Sequence, residues 1–227
     1  MKTLGMIGGT SWYSTVEYYS LINRKVADQI GLQANPPLII HSLNIELMRE
    51  QNWEKINAKY LETARKLESA GAEAIIICAN TPHKVYDYVQ GEISIPILHI
   101  ADATGTEAQK LGLQTLGLLG NKPTMTGEFI ADRLHRIFQI ETIIPEDQYI
   151  DQAHHYVSKE LTQGIFSDDA RYFFEEQIDQ LVKNGAEGII LGCTELPLLF
   201  KDHKIKVPLL ATTDLHVKMA VDFILDR

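Results

Sequence analysis

Cysteine, tryptophan and long apolar runs are all scarce in this chain. It has two Cys and two Trp in 227 residues, and no stretch approaches the roughly 20 apolar residues that cross a bilayer. Cys78 and Cys193 are too few for a disulfide framework, and no CxxC or Cys/His cluster points to zinc. The adjacent His154-His155 pair lacks ligand spacing and reads as a solvated polar segment. Positive charge is also thin: 21 Lys and Arg stand against 30 Asp and Glu, a formal net charge of −9. No basic block is longer than a pair, so neither nucleic acid nor an anionic membrane is an expected partner. The opening residues carry one Lys and too short an apolar run for a secretory signal. A reduced, cytoplasmic setting is the expectation that follows.

Apolar β-rich runs alternate with longer amphipathic stretches, the pattern of an α/β protein with parallel strands. The expected strands are 4–7, 38–43, 74–78, 95–100, 115–119, 141–144, 188–191 and 207–210. The expected helices are 14–30, 53–70, 103–111, 126–137, 169–183 and 214–225. The strands are nearly continuous Ile/Leu/Val, as when helices cover both faces of a sheet.

The chain also looks duplicated. Thr3-Leu4-Gly5-Met6-Ile7-Gly8-Gly9 matches Thr115-Leu116-Gly117-Leu118-Leu119-Gly120-Asn121 at an offset of 112. Gly71-Ala72-Glu73-Ala74-Ile75-Ile76-Ile77 matches Gly185-Ala186-Glu187-Gly188-Ile189-Ile190-Leu191 at 114, and Ile95-Pro96-Ile97-Leu98 matches Val207-Pro208-Leu209-Leu210 at 112. Three matches in one order, at nearly half the chain length, predict two similar halves. Ligands of open α/β sheets bind beyond the carboxyl ends of strands, and clefts between domains are favoured sites. The residues just after each matched strand are therefore the candidates.

After the third strand of the first half comes Cys78-Ala79-Asn80-Thr81-Pro82-His83; after its counterpart comes Gly192-Cys193-Thr194-Glu195-Leu196-Pro197. A thiol on such a turn gains from backbone N–H groups and from a following helix, which lowers its pKa. Cys193, flanked by Gly192 and Thr194, fits that reading; Cys78, ending an Ile run, reads as core. The Gly-led turns holding Thr10, Asn121 and Thr124 offer N–H and hydroxyl donors for a carboxylate. Gly8-Gly9 lacks the third glycine of a dinucleotide fingerprint. Trp12, Tyr13, Tyr18 and Tyr19 read first as a packed helix face, with closure over the site or a dimer surface as the alternatives.

With these residues assembled, the chain resembles the aspartate/glutamate racemase superfamily along essentially its whole length. The resemblance rests on Ile7-Gly8-Gly9-Thr10, Asn80-Thr81-Pro82-His83 and Leu191-Gly192-Cys193-Thr194-Glu195-Leu196-Pro197, with further similarity in Ser11-Trp12-Tyr13-Ser14-Thr15, His99–Gly105 and Thr124-Met125-Thr126. It is closest to the branch that prefers L-aspartate and L-glutamate. The resemblance implies two pseudo-symmetric Rossmann-like, mainly parallel domains, 1–102 with 211–227 and 103–210, facing one cleft. It implies a homodimer that uses no pyridoxal phosphate, metal or other cofactor. It implies racemisation of an acidic amino acid, with Cys193 as the thiolate base and Thr81 as a catalytic partner. Thr10, Asn80, Asn121, Thr124, Thr194 and Glu195 are the implied substrate contacts. Arg49, Lys122, His83 and His216 are further candidates, the first two for a side-chain carboxylate and the last two for orienting Cys193 or capping a helix.

One departure stands out. The internal offset carries Cys193 onto Ala79, and the family's first catalytic cysteine directly precedes the Asn-Thr pair, so that cysteine is missing here. Cys78 lies one residue earlier, and alternation along a strand turns it to the opposite side. Three readings follow: a racemase with water or Thr81 serving the second face, a one-cysteine lyase or decarboxylase, and a non-catalytic binder of dicarboxylic amino acids.

Overall fold

The structure, a computed structural model, describes residues 1–201 and 203–227. In chain order its main elements are β1 (Leu4–Gly8), α1 (Trp12–Ile30), β2 (Leu38–Ser42), α2 (Trp53–Ser69), β3 (Ala74–Ile77), α3 (Ile100–Leu111), β4 (Thr115–Leu119), α4 (Lys122–Thr126), β5 (Glu141–Ile143), α5 (Asp147–His155), α6 (Asp168–Lys183), β6 (Gly188–Leu191), β7 (Leu209–Ala211) and α7 (Thr212–Ile224). The chain divides into two compact units, Met1–His99 with His216–Arg227, and Ile100–Leu215. The cuts expected from the sequence lay at 102 and 210.

In the first unit the strands run parallel in the order β2-β1-β3. Strand alternation divides the sheet's side chains between two layers. Leu4, Met6, Ala74, Ile76 and Cys78 pack with Tyr18, Ile22 and Val26 of α1 and with Val217, Ala220 and Val221 of α7. Ile7, Ile75 and Ile77 pack on the other face with Ile56, Tyr60, Ala64 and Leu67 of α2. These helical residues recur every three or four positions, which makes one continuous apolar stripe per helix. Each fully buried Leu or Ile is worth ~1.5–3 kcal/mol. Ser11 caps α1 by accepting from the Ser14 N–H at 3.2 Å, and Asn52 caps α2 through the Lys55 N–H at 3.1 Å.

The second unit is a parallel sheet ordered β5-β4-β6-β7. Leu116, Leu118, Ile189 and Ile190 of the sheet join Phe173, Phe174, Ile178 and Leu181 of α6 in one buried cluster. Ser167 caps α6 through the Ala170 N–H at 3.2 Å.

The duplication extends to individual hydrogen bonds. The Glu73 N–H donates to Thr3 O at 2.9 Å, and the Glu187 N–H to Thr115 O at 2.8 Å. In return the Glu73 carboxylate accepts from the Thr3 N–H at 2.6 Å, and that of Glu187 from the Thr115 N–H at 3.2 Å. Gly71 and Gly185, at φ 94° and 102°, make the same left-handed turn ahead of those glutamates, a conformation that favours glycine. The Ile75 N–H donates to Pro96 O and the Ile189 N–H to Pro208 O, at 2.8 and 2.9 Å. The Cys78 N–H donates to Ile7 O and the Gly192 N–H to Leu119 O, at 2.9 and 2.7 Å. This last pair makes Gly192 the equivalent of Cys78, and therefore Cys193 the equivalent of Ala79.

Three expectations need correction. Residues 95–100 form no strand; only Ile97 bridges to Ile75, and Ile100 already opens α3. The helix expected over 126–137 is borne out only from Ala131, running through Ala131–Arg133 and Leu134–Phe138; Glu128 at φ 58° separates it from α4. Of the aromatics on α1, Tyr18 is buried, but Trp12, Tyr13 and Tyr19 are 58%, 60% and 48% exposed. The α1 stripe at 18, 22 and 26 points inward and leaves those three on the outer side.

Candidate active site

In the first unit, β1 and β3 are neighbours, so the turns after Gly8 and after Ile77 emerge side by side. Gly9 at φ 90° sits against Leu43, whose carbonyl oxygen would lie 2.0 Å from any Cβ there. Its N–H donates to Thr15 Oγ1 at 2.9 Å, so that donor is held inside the turn. Thr10 follows half-buried and faces the Tyr60 hydroxyl, whose own pKa is raised by burial. The Ser14 hydroxyl donates to Cys78 O at 2.7 Å, tying the first turn of α1 to the turn after β3.

That second turn carries Ala79, Asn80 and Thr81. Ala79 is half-buried, whereas Cys78 is 1% exposed among Tyr18, Val217 and their neighbours. Burial pushes the Cys78 thiol pKa up. Cys78 is thus a packed side chain, as alternation predicts. Asn80 is buried, and half-buried Thr81 opens the helical turn Thr81–Val85. His83 Nδ1 donates to Ala79 O at 2.9 Å and Asn80 O at 3.2 Å, fixing the carbonyls behind Thr81. The rings of His99 and His216 stack edge-on against His83 at 4.7 and 5.3 Å, a buried group the sequence reading did not single out. Its residues lie scattered at 83, 99 and 216, so no local motif marks it.

His216 is fully buried. Its Nε2 donates to Leu98 O at 2.7 Å and its Nδ1 accepts from the Tyr18 hydroxyl at 3.0 Å. Burial lowers its pKa to about 4, so the ring is neutral at pH 7. Both nitrogens are thus engaged within the first unit. Arg49 and Lys122 are exposed and already ion-paired, Arg49 with Glu46 and Lys122 with Asp151 at 2.7 Å. His154 lies at the end of α5, half-buried, with Nδ1 accepting from the Lys122 N–H at 3.4 Å.

In the second unit β4 and β6 are neighbours, and their exits interlock. Asn121 Oδ1 accepts from the Thr124 N–H at 2.9 Å, which starts α4. Thr124 is buried with its methyl against Gly192: a Cβ on Gly192 would lie 3.0 Å from that methyl and 2.8 Å from Leu119 O. Cys193, 8% exposed, comes next, followed by half-buried Thr194 and Glu195. The Leu196 N–H donates to Cys193 Sγ at 3.3 Å. The thiol pKa is nevertheless raised, first by burial and then by the Glu195 carboxylate; the N–H groups of Leu196 and Glu195 pull it down and are outweighed. The expected net lowering is therefore corrected: this environment holds Cys193 as a thiol hydrogen-bonded to Glu195. Among the described residues no cluster of three or more His, Cys, Asp or Glu is disposed to hold a metal ion. No described helix is long and apolar enough to cross a membrane.

The structure thus groups the candidates by unit: Thr10, Asn80, Thr81 and His83 at adjacent strand exits in one, and Asn121, Thr124, Cys193, Thr194 and Glu195 in the other. A duplicated parallel α/β chain with one buried cysteine at a strand exit, and a polar loop at the matching exit of its other copy, defines a protein of the racemase fold. The chain belongs to the Asp/Glu/Hydantoin racemase family, whose match covers residues 7–220. It is similar to a candidate Asp/Glu racemase from Yersinia pestis, at 37% identity and a TM-score of 0.93, over 99% of this chain and 100% of that one. An aspartate racemase homologue from Pyrococcus horikoshii OT3 gives 33% identity and a TM-score of 0.88, again over 99% and 100%. The broad specificity amino-acid racemase RacX of Bacillus subtilis (strain 168) is 23% identical over 74% of this chain and 72% of its own length.

Proposed function

We propose that this chain is a cofactor-independent racemase of an acidic amino acid, aspartate or glutamate, that begins turnover with Cys193. The observation that carries the reading is the setting of that residue: a buried thiol at the exit of a parallel strand, touched by a backbone N–H and a carboxylate. Aspartate and glutamate are favoured by membership of the Asp/Glu/Hydantoin racemase family and by similarity to the aspartate racemase homologue of Pyrococcus horikoshii OT3. In the proposed step Cys193 releases its proton to solvent as the substrate binds, and the resulting thiolate takes the substrate α-proton to become the thiol again. A substrate ammonium group arriving beside Glu195 offsets the negative charge that keeps the thiol protonated, which lowers its pKa when it is needed. Thr10, Asn80, Thr81, Asn121, Thr124 and Thr194 are the proposed contacts of the α-carboxylate and amino group. Hydrogen bonds to the developing enolate carry much of the barrier reduction, because an amino acid's α-proton is a very weak acid.

Ala79 favours a second reading at the same site. With a methyl group where the repeat partner has a thiol, single-face chemistry is the default, so a one-cysteine lyase remains the alternative. The experiment is proton NMR of L-aspartate and L-glutamate incubated with the protein in D₂O, with chiral chromatography of the same samples. Loss of the α-proton signal with appearance of the D-isomer supports racemisation. Exchange without D-isomer restricts the enzyme to one face. Persistence of the signal with both amino acids overturns the reading.

A further inference from the structure

The exits of β6 and β7 lie side by side, since these strands pair in register up to Leu191 and Ala211. Two residues beyond that last pair stand Cys193 on one chain exit and Thr213 on the other. Both residues belong to one unit and follow the ends of adjacent strands. Thr212 and Thr213 open α7, a helix of 13 residues whose leading N–H groups have no acceptor within the helix. The two hydroxyls behave differently. That of Thr212 donates to Leu191 O at 3.0 Å and secures the turn. That of Thr213 is buried, in a residue only 5% exposed, and has no hydrogen-bond partner among the described residues.

A buried hydroxyl without a partner destabilises the fold it sits in, and one that persists calls for a use. The repeat supplies a second, independent observation. The offset of 112 that relates β1 to β4 carries Ala101 onto Thr213, and it also relates the first residues of α3 and α7, Ile100 and Thr212. Cys193 corresponds to Ala79. Both chemically equipped positions of the second copy are thus alanine in the first, while framework residues such as Glu73 and Glu187 are kept in both.

We propose that the Thr213 hydroxyl donates a hydrogen bond to the α-carboxylate of the amino acid whose α-proton faces Cys193. The assignment rests on the reading of Cys193 as the proton-abstracting group. A buried, unpartnered donor at the strand exit next to that of Cys193 suits an oxygen two bonds from Cα, and the leading N–H groups of α7 favour an anion there.

The test compares Thr213→Val, which keeps the shape and removes the hydroxyl, with Thr213→Ser, which keeps the hydroxyl. Thermal melting without substrate and α-proton exchange of L-aspartate and L-glutamate in D₂O are measured on both and on the wild type. The Val variant is expected to melt at or above the wild-type temperature, because an unsatisfied hydroxyl has been removed. Its kcat/KM for exchange is expected to fall about 10- to 100-fold, mostly through KM, as for a lost hydrogen bond to a charged group. The Ser variant is expected to recover most of that loss. Wild-type exchange in the Val variant overturns the assignment and leaves the reading of Cys193 standing. A lowered melting temperature with no rescue by Ser also overturns it, making Thr213 a packing residue. Absence of exchange by the wild type removes the reading of Cys193 and this assignment together.

Discussion

Alanine at 79 and cysteine at 193 occupy equivalent places in two copies of one repeat, and that inequality sets the residue-scale predictions. Cys193→Ala is expected to lower α-proton exchange about 10²- to 10⁴-fold, the usual range for loss of a proton-transfer group, while Cys78→Ala leaves it nearly unchanged. Exchange rates of the two variants side by side check this. Ala79→Cys is expected to raise the ratio of D-isomer formed to α-proton exchanged, since it puts a thiol where the copy has one; an unaltered ratio in a folded variant refutes the two-base geometry. Glu195→Gln removes a negative charge beside the sulfur, so the Cys193 pKa is expected to fall. Titration of thiolate absorbance near 240 nm in a Cys78→Ala background measures the shift and its sign. The inward turn of Cys78 was legible from strand alternation. The balance of forces on Cys193 was not. Sequence places N–H groups near a thiol, but only the packed structure shows burial and Glu195 outweighing them.

The β4–β6 exits show how an element aims a side chain. Gly192 leaves room for the Thr124 methyl and Leu119 O, and a Cβ would bring both to 3.0 Å or less. Gly192→Ala is therefore expected to cost about 1–3 kcal/mol by overpacking and to displace Cys193, cutting exchange by more than its effect on stability explains. Gly120→Ala meets nothing closer than 3.2 Å and is expected to be milder. Denaturant melts and exchange rates of the two variants decide the order. Strands with strong Ile/Leu runs, such as 4–8 and 188–191, were legible because their pattern is set by burial on both faces. The helix α5 and the break after α4 were not. The former is rich in His, Gln and Asp with a thin apolar stripe, and the latter hinges on a left-handed Glu128 that no residue preference announces.

At the scale of the whole molecule, pH acts through buried groups. His216 titrates near 4 in the folded protein and near its ordinary 6.5 once unfolded. Its folded pKa is depressed, so the full stability is present above about pH 6.5 and is lost progressively as pH falls toward 4. The loss amounts to roughly 3 kcal/mol for a shift of this size in a fully buried ring. Melting curves between pH 7.5 and 4.5 are expected to show this one-proton dependence, and His216→Gln to flatten it; an unchanged slope in that variant refutes the assignment. The two-unit organisation was visible in the chain as a repeat of 112 to 114 residues. The grouping of His83, His99 and His216 was not, because it exists only after distant segments meet.

Glu73 and Glu187 close the same clasp, one per unit, each gripping the backbone at the start of its unit's central strand. The molecule therefore contains its own matched control. Breaking one clasp by Glu73→Gln and the other by Glu187→Gln applies the same chemical injury to two frameworks of shared ancestry. Any difference between the two melting temperatures then measures how far the halves have diverged in robustness, without reference to another protein.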